Sequence, residues 1–255
     1  MSEHWYRQNG SPCYETVSRN GNLRATTLAD ARRYGLVPSV TTVLAVLAKP
    51  QLETWKVKQG ILAALTLPRL PEESDDAYLA RVLTERGQQA KHPAEIGTQI
   101  HDAIEASFKG RPIPAQYVPH VEAARAEIER LYPGVNDWIA EKSFSHIFGY
   151  GGKVDLHSPG FGHVVDYKGK DGDFTDGKRL AYDQHYQLAA YQRGLILPPA
   201  TCANVFVSRT HPGKVASHVW SVADVQHGWQ VFEAALRAWK LLKNFDPSFE
   251  HQAAA

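Results

Sequence analysis

Only two cysteines occur in the 255 residues, Cys13 and Cys202, far apart and without a cysteine partner at metal-ligand spacing. A disulfide framework, a four-cysteine zinc site and an iron–sulfur cluster are therefore excluded as local motifs, and a reducing, cytoplasmic setting fits. Long apolar runs are missing too. The most apolar stretch, Val40 to Ala48, is too short to span a membrane, and residues 1–20 are polar with no apolar segment of a signal peptide, so no membrane partner is expected. Nor is there an excess of one charge: 28 Lys and Arg stand against 27 Asp and Glu, a net +1. That balance excludes a bulk-electrostatic nucleic-acid binder but leaves room for a local basic groove. What remains, 43% hydrophobic and 22% charged residues, suits one globular domain, or one domain with an elaborated end.

The order of elements can be read from periodicity and turn signals. Residues 1–37 are polar, with Asn9-Gly10 and Asn20-Gly21, and predict short strands or loops. Ser39 or Thr41 can cap a helix through Leu44 and Leu47 to about Ala48, stopped by Pro50. Further helices are predicted from Leu52 to Leu65 and from Pro71-Glu72-Glu73-Ser74 through Tyr78 and Val82. After Pro93 the pattern changes: Ile96, Ile100, Ile104 and Phe108 recur every four residues as an amphipathic helix. A helix after Pro119 follows, then strands over 138–146, 150–157 and 162–168. A helix over 180–195, strands over 203–208 and 214–220, and a last helix striped by Val225, Trp229, Phe232, Leu236 and Trp239 complete the chain. This order predicts an α/β or α+β fold with a mixed central sheet rather than a regular doubly wound one. The expected organisation is a mostly helical N-terminal elaboration over 1–94 packed on a core over 95–245, with a tail over 246–255.

The residues with chemistry lie on the predicted strands. Gly152-Lys153-Val154-Asp155 is followed, after ten further residues, by Asp166-Tyr167-Lys168, which closes the apolar run His163-Val164-Val165. Tyr167 should alternate to the opposite face, leaving Asp166 and Lys168 on one side. Two carboxylates and a lysine at adjacent strand ends can hold Mg²⁺ against a phosphodiester; a surface salt bridge explains the triplet equally well. A second copy, Asp176-Gly177-Lys178, lies in a Gly-rich stretch with no apolar run before it and reads as a solvated loop. His101 adjoins the apolar face of its helix, as a satisfied helix histidine or as a ligand completing a carboxylate site. Glu141 opens its strand, either holding a metal directly or through another ligand, or pairing with a neighbouring lysine. Gln187 and Tyr191, four apart, share one helix face. Gln can reach a phosphate or base edge and Tyr can stack on a base, while packing into the core is the bland alternative for both.

Together these residues carry a resemblance. The ordered set Gly97-Thr98-x-x-His101, Gly152-x-x-Asp155, Asp166-Tyr167-Lys168 and Gln187-x-x-x-Tyr191 resembles the PD-(D/E)XK nuclease superfamily. The likeness is to the RecB-type exonuclease branch, with its mitochondrial genome-maintenance and phage exonucleases. Pro38 to Leu44 with Trp55 looks like the N-terminal segment of phage members, so the resemblance covers about 38–195. Gly169 stands where the family often has Thr or Ser, and the cysteines of its iron–sulfur subgroup are missing.

The resemblance implies a restriction-endonuclease-like core and a Mg²⁺- or Mn²⁺-dependent exonuclease serving DNA repair, recombination or phage DNA processing. One or two ions would be held by Asp155, Asp166, the Tyr167 carbonyl and His101, with Lys168, Asp166, Asp155 and Glu141 as the catalytic group. Thr98, Lys153, Lys170, Gln187 and Tyr191 would contact DNA, as a single strand or a duplex end. A recombinase or a single-strand-binding protein is a candidate further partner. Lys153, Lys168, Lys170, Lys178, Arg179 and Arg193, with Tyr182, Tyr186 and Tyr191, predict a track for single-stranded DNA whose affinity falls steeply with salt. Three other readings stand beside this one: an endonuclease on the same fold, a catalytically silent DNA-binding protein, and an all-helical phosphohydrolase built on His101-Asp102.

Overall fold

A computed structural model describes residues 3–48 and 50–249, without the side chains of residues 50–52 and 89–92. Of the expected tail over 246–255, residues 250–255 lie outside the described residues, as does the side chain of Leu52. The elements run β1 (Trp5–Tyr6), β2 (Glu15–Val17), β3 (Leu23–Ala25), α1 (Leu28–Tyr34), β4 (Val37–Pro38), α2 (Val40–Leu44), α3 (Pro50–Thr66) and α4 (Asp75–Phe108). They continue with α5 (Val118–Leu131), β5 (Ile139–His146), β6 (Tyr150–His157), β7 (Val164–Lys170), α6 (His185–Gly194), β8 (Cys202–Ser208), β9 (Val215–Trp220) and α7 (Val222–Lys243).

The central sheet has the order β5-β6-β7-β8-β9. Its pairs are antiparallel except β7 with β8, which are parallel and joined through α6, because parallel neighbours need a crossover. Helices cover both faces. Val164, Cys202 and Phe206 point to a cluster with Leu188 of α6 and Phe232 of α7, while Val165, Tyr167, Ala203, Val205 and Val207 point to Ile100, Ile104, Val121 and Ile128 of α4 and α5. With both faces covered, all seven residues of β8 are buried, which is why that strand reads as a largely apolar run. The mixed α/β sheet flanked by helices is thus present. No helix among the described residues is long and apolar enough to cross a membrane.

The N-terminal third differs from the expectation in three places. First, the segment up to Leu44 is built into the body: Ser39 bridges Gly151 of β6, and Trp5, Leu36, Val40 and Leu44 share the cluster of α6 and α7. Second, residues 28–34 form a helix, capped reciprocally by Thr27 and Asp30. Third, the two helices expected on either side of Pro93 are one, α4, and the 94/95 position lies inside it. Packing at both ends outweighs the proline's penalty. Towards the N-terminus Val82 is buried and the Tyr78 hydroxyl donates to the Ala64 carbonyl (2.7 Å); beyond Pro93, Ile100 and Ile104 are fully buried. Along α3 and the first half of α4, Trp55, Ile61, Leu65, Leu79 and Leu83 are exposed.

Candidate active site

The site arises where the middle of the sheet comes apart. β6 and β7 pair only at Leu156↔Val165 and His157↔Val164. Beyond those pairs β6 stays with β5 as far as Tyr150, and β7 stays with β8 as far as Lys170. The next residue of each strand, Asp155 and Asp166, stands at the mouth of the resulting fork. Across it the Tyr167 N–H donates to the Asp155 carboxylate (2.9 Å), a side chain replacing the missing ladder bond. Strand geometry turns the N–H and carbonyl of one residue to the same edge, so the Tyr167 carbonyl also faces the fork. On the other flank Glu141 has φ +58° and is skipped in the β5–β6 register, between Ala140↔Leu156 and Lys142↔Val154.

Asp166 is 2% exposed and surrounded by donors. Lys168 Nζ lies 2.9 Å from Oδ1 and 2.8 Å from Oδ2, Gln187 Nε2 donates to Oδ1 (3.2 Å), and Asn204 Nδ2 donates to Oδ2 (2.9 Å). Lys168 and Asp166 therefore share one face while Tyr167 packs on the other, as strand alternation requires. Gln187 also donates to the Tyr191 hydroxyl (2.8 Å), one turn along α6. Beside Lys168 and Gln187 opens a cavity of about 250 Å³, walled by Leu44, Leu47, Asp183, Gln184 and Tyr186.

The charges at the fork shape one another. Burial, then the neighbouring charge of Asp166, pushes the Asp155 carboxyl well above the usual carboxylate range, against the pull of Lys168 and the Tyr167 N–H. Burial opposes the Lys168 ammonium, but Asp166 and Asp155 outweigh it and raise its pKa, so the side chain is a cation at neutral pH. His101 Nδ1 lies 3.7 Å from Asp155. Burial lowers the His101 pKa, which favours the neutral imidazole that can act as a ligand.

Other candidates fall into place less uniformly. Glu141 forms an ion pair with Lys153 across β5 and β6 (2.5 Å), the pairing reading of Glu141. Thr98 is exposed on α4, its hydroxyl donating to the Ala94 carbonyl (3.1 Å), and Lys170 is exposed at the end of β7. Tyr191 is 6% exposed, lying edge-on to Phe144 with ring centroids 6.1 Å apart. It cannot stack on a base and supports Gln187 instead.

Neighbours engage most of the cations of the expected track. Lys178 pairs with Asp176 (2.6 Å), Arg179 lies 5.1 Å over Tyr182, and Arg193 lies 5.6 Å over Trp229. The Asp176-Gly177-Lys178 copy is exposed loop, as read from the sequence. The His101-Asp102 phosphohydrolase reading fails on the five-stranded sheet, an architecture that is not all-helical.

One residue of the site was not singled out from the sequence. Asn204, on β8 beside Asp166, is completely buried, and its Oδ1 accepts from Trp220 Nε1 (2.8 Å). The signal was there to be read: an amide inside the apolar run Cys202-Ala-Asn-Val-Phe-Val is costly unless bonded. Glycines also make room. A Cβ on Gly152 would stand 2.8 Å from the Tyr191 ring, and one on Gly169 would meet Arg209 at 3.3 Å and the Gly97 backbone at 3.4 Å. Gly169 thus marks the close crossing of β7 and α4.

Among the described residues no group of three or more His, Cys, Asp or Glu side chains is arranged to hold a metal ion. Among those residues this excludes the closed side-chain cage of a structural zinc site. The fork does fit a hard cation that keeps most of its waters. Mg²⁺ is commonly held by one or two carboxylates with water and phosphate oxygens completing the shell. Here Asp155 and Asp166 repel each other across the fork and the Tyr167 carbonyl faces it.

No family model matches the chain, and no curated protein matches it. Among solved structures it is similar to a “Putative exonuclease” from Eubacterium rectale, at 15% identity and a TM-score of 0.40, over 58% of this chain and 68% of that one. A likeness this low decides nothing about fold or chemistry. What the chain itself defines is a mixed α/β protein with a half-buried acid–lysine cluster at a fork in its sheet.

Proposed function

We propose that the chain is a Mg²⁺- or Mn²⁺-dependent deoxyribonuclease of the PD-(D/E)XK type, acting as an exonuclease on single-stranded or end-opened DNA in repair, recombination or phage DNA processing. The observation that carries the reading is the meeting of Asp155, Asp166 and Lys168 at the fork between β6 and β7, with Lys168 Nζ 2.9 Å from Asp166. Asp155, Asp166 and the Tyr167 carbonyl would hold the ion, with His101 beside them. Bound there, the ion acidifies a water and screens the charge of the scissile phosphate.

The protein's own groups do the rest. Lys168, fixed as a cation, orients the attacking water and opposes the charge that builds on the phosphate oxygens. Gln187 and Asn204 hold Asp166 in one rotamer, so the site is arranged before substrate arrives. Water adds to phosphorus, the bond to the departing sugar oxygen breaks, and that oxygen takes up a proton.

Digestion of 5′- and 3′-labelled single- and double-stranded DNA, linear beside circular, tests the reading. Linear DNA should be degraded with Mg²⁺ or Mn²⁺, circular DNA should resist, and chelation should stop the reaction. Lys168→Ala should cut on the order of 10²–10³-fold more slowly while still binding DNA, whereas Asp176→Ala and Lys178→Ala should cut normally. Circular DNA cut as fast as linear would make the protein an endonuclease; DNA bound but never cut would leave only a binding protein.

A further inference from the structure

Asn204 has no freedom in how it presents its amide. An indole N–H can only donate, so Trp220 Nε1, 2.8 Å away, requires the Asn204 oxygen to face it. The amide nitrogen must then face Asp166, where it donates to Oδ2 (2.9 Å). Asn204 is 0% exposed and Trp220 6%, so water cannot replace either bond. Trp220, at the end of β9, also packs on His185 at the start of α6, with ring centroids 4.4 Å apart. From His185, α6 leads back to Gln187, which donates to the other Asp166 oxygen (3.2 Å). The contacts thus form a closed circuit: Asp166, Asn204, Trp220, His185, α6, Gln187 and Asp166 again.

We infer that Asn204 and Trp220 are a positioning pair, which fixes the rotation of the Asp166 carboxylate and so the geometry in which the fork receives a divalent cation. This rests on the nuclease reading above. Neither residue touches substrate in this scheme. Both act through Asp166, and the Trp220 N–H acts only through Asn204. The loss of such a supporting bond typically weakens metal binding by about 10–100-fold.

The test measures Mn²⁺ binding by the full-length protein without DNA, from the electron paramagnetic resonance signal of free Mn²⁺, beside nuclease kinetics on linear single-stranded DNA. Asn204→Leu, close in volume and without either bond, should weaken Mn²⁺ binding about tenfold or more and raise the metal concentration for half-maximal cleavage in parallel. In that variant kcat should fall while KM for DNA changes little. Trp220→Phe keeps the ring against His185 but frees the amide to turn, so a smaller loss of Mn²⁺ affinity is expected. The double variant should be no worse than Asn204→Leu alone, since one residue works through the other.

Far-UV circular dichroism and the thermal midpoint establish that each variant is folded, and if Asn204→Leu is not, Trp220→Phe decides. Wild-type Mn²⁺ affinity in the folded variants would overturn the pair while leaving the nuclease reading intact. A wild-type protein that neither binds Mn²⁺ nor cuts DNA would overturn the nuclease reading and the pair with it.

Discussion

At the scale of single residues the site depends on what is left out as much as on what is present. Gly152 leaves the space that Tyr191 and Phe144 occupy, since a Cβ there would stand 2.8 and 3.0 Å from their rings. Gly152→Ala should therefore destabilise the protein by about 1–3 kcal/mol, an overpacking cost. It should also slow cleavage by moving Tyr191 away from Gln187. Urea unfolding beside the nuclease assay measures both, and unchanged stability would show that the two rings yield freely. The acid and lysine positions were legible in the sequence because Val164-Val165 forces burial and alternation sorts the next three residues. Tyr191 was not, because a helix face says which residues are neighbours but not which of them the sheet will cover. Asn204 passed unnoticed because the run around it reads as apolar, although the lone amide is its least affordable residue.

Among the elements, the short helix α1 shows what a pattern search overlooks. Its signal is the capping box of Thr27 and Asp30 rather than a stripe, and Arg24 of β3 grips Asp30 with two bonds, at 2.6 and 2.9 Å. The Arg24 guanidinium, with the Thr27 hydroxyl and N–H, holds the Asp30 carboxyl well below the usual carboxylate range. A carboxyl whose pKa is depressed in the folded state stabilises the fold at pH values above its unfolded pKa, near 4. The contribution is lost as pH falls towards the folded value. Asp30→Asn should accordingly be less stable than wild type at pH 7, and the difference should shrink below about pH 4. Denaturation midpoints at the two pH values read this directly; a gap that stays constant would deny Asp30 the role. The residues before α6 illustrate the opposite error, an element drawn too long. Residues 180–184 are not helical, because Arg179 donates to the Ala181 carbonyl (2.6 Å) and the Gln184 side chain accepts from the Tyr182 N–H (2.7 Å), bonds that compete with a helix.

For the molecule as a whole, the mixed sheet was legible because its strands differ in pattern: β8 mostly apolar and buried on both sides, β9 partly exposed at an edge. The continuity of α4 through Pro93 was not, since local propensity cannot anticipate packing at both ends. Charge has a consequence at this scale too. The net charge is +1, and Lys153, Lys168 and Lys178 are each ion-paired. If single-stranded DNA binds at the fork, few phosphates can be neutralised, and each contributes about −0.7 to the slope of log affinity against log salt. A slope on the order of −2 is expected rather than the steep fall an open basic track would give. Fluorescence anisotropy across a salt series measures it, and a slope steeper than about −5 would place the DNA on another surface.

The bond from the Tyr167 N–H to Asp155 has a bearing on ancestry. Whatever chemistry it serves, Asp155 is a strut of the sheet, because it satisfies a backbone donor that the fork leaves without a strand partner. A descendant of this protein that abandoned chemistry would still be penalised, by about 1–3 kcal/mol, for losing an acceptor at that position. Lys168 satisfies no main-chain group in this way. In any relative with this fork, an acidic residue at the place of Asp155 therefore records inheritance of the architecture, while a lysine at the place of Lys168 would, on the nuclease reading, record whether the chemistry is still in use.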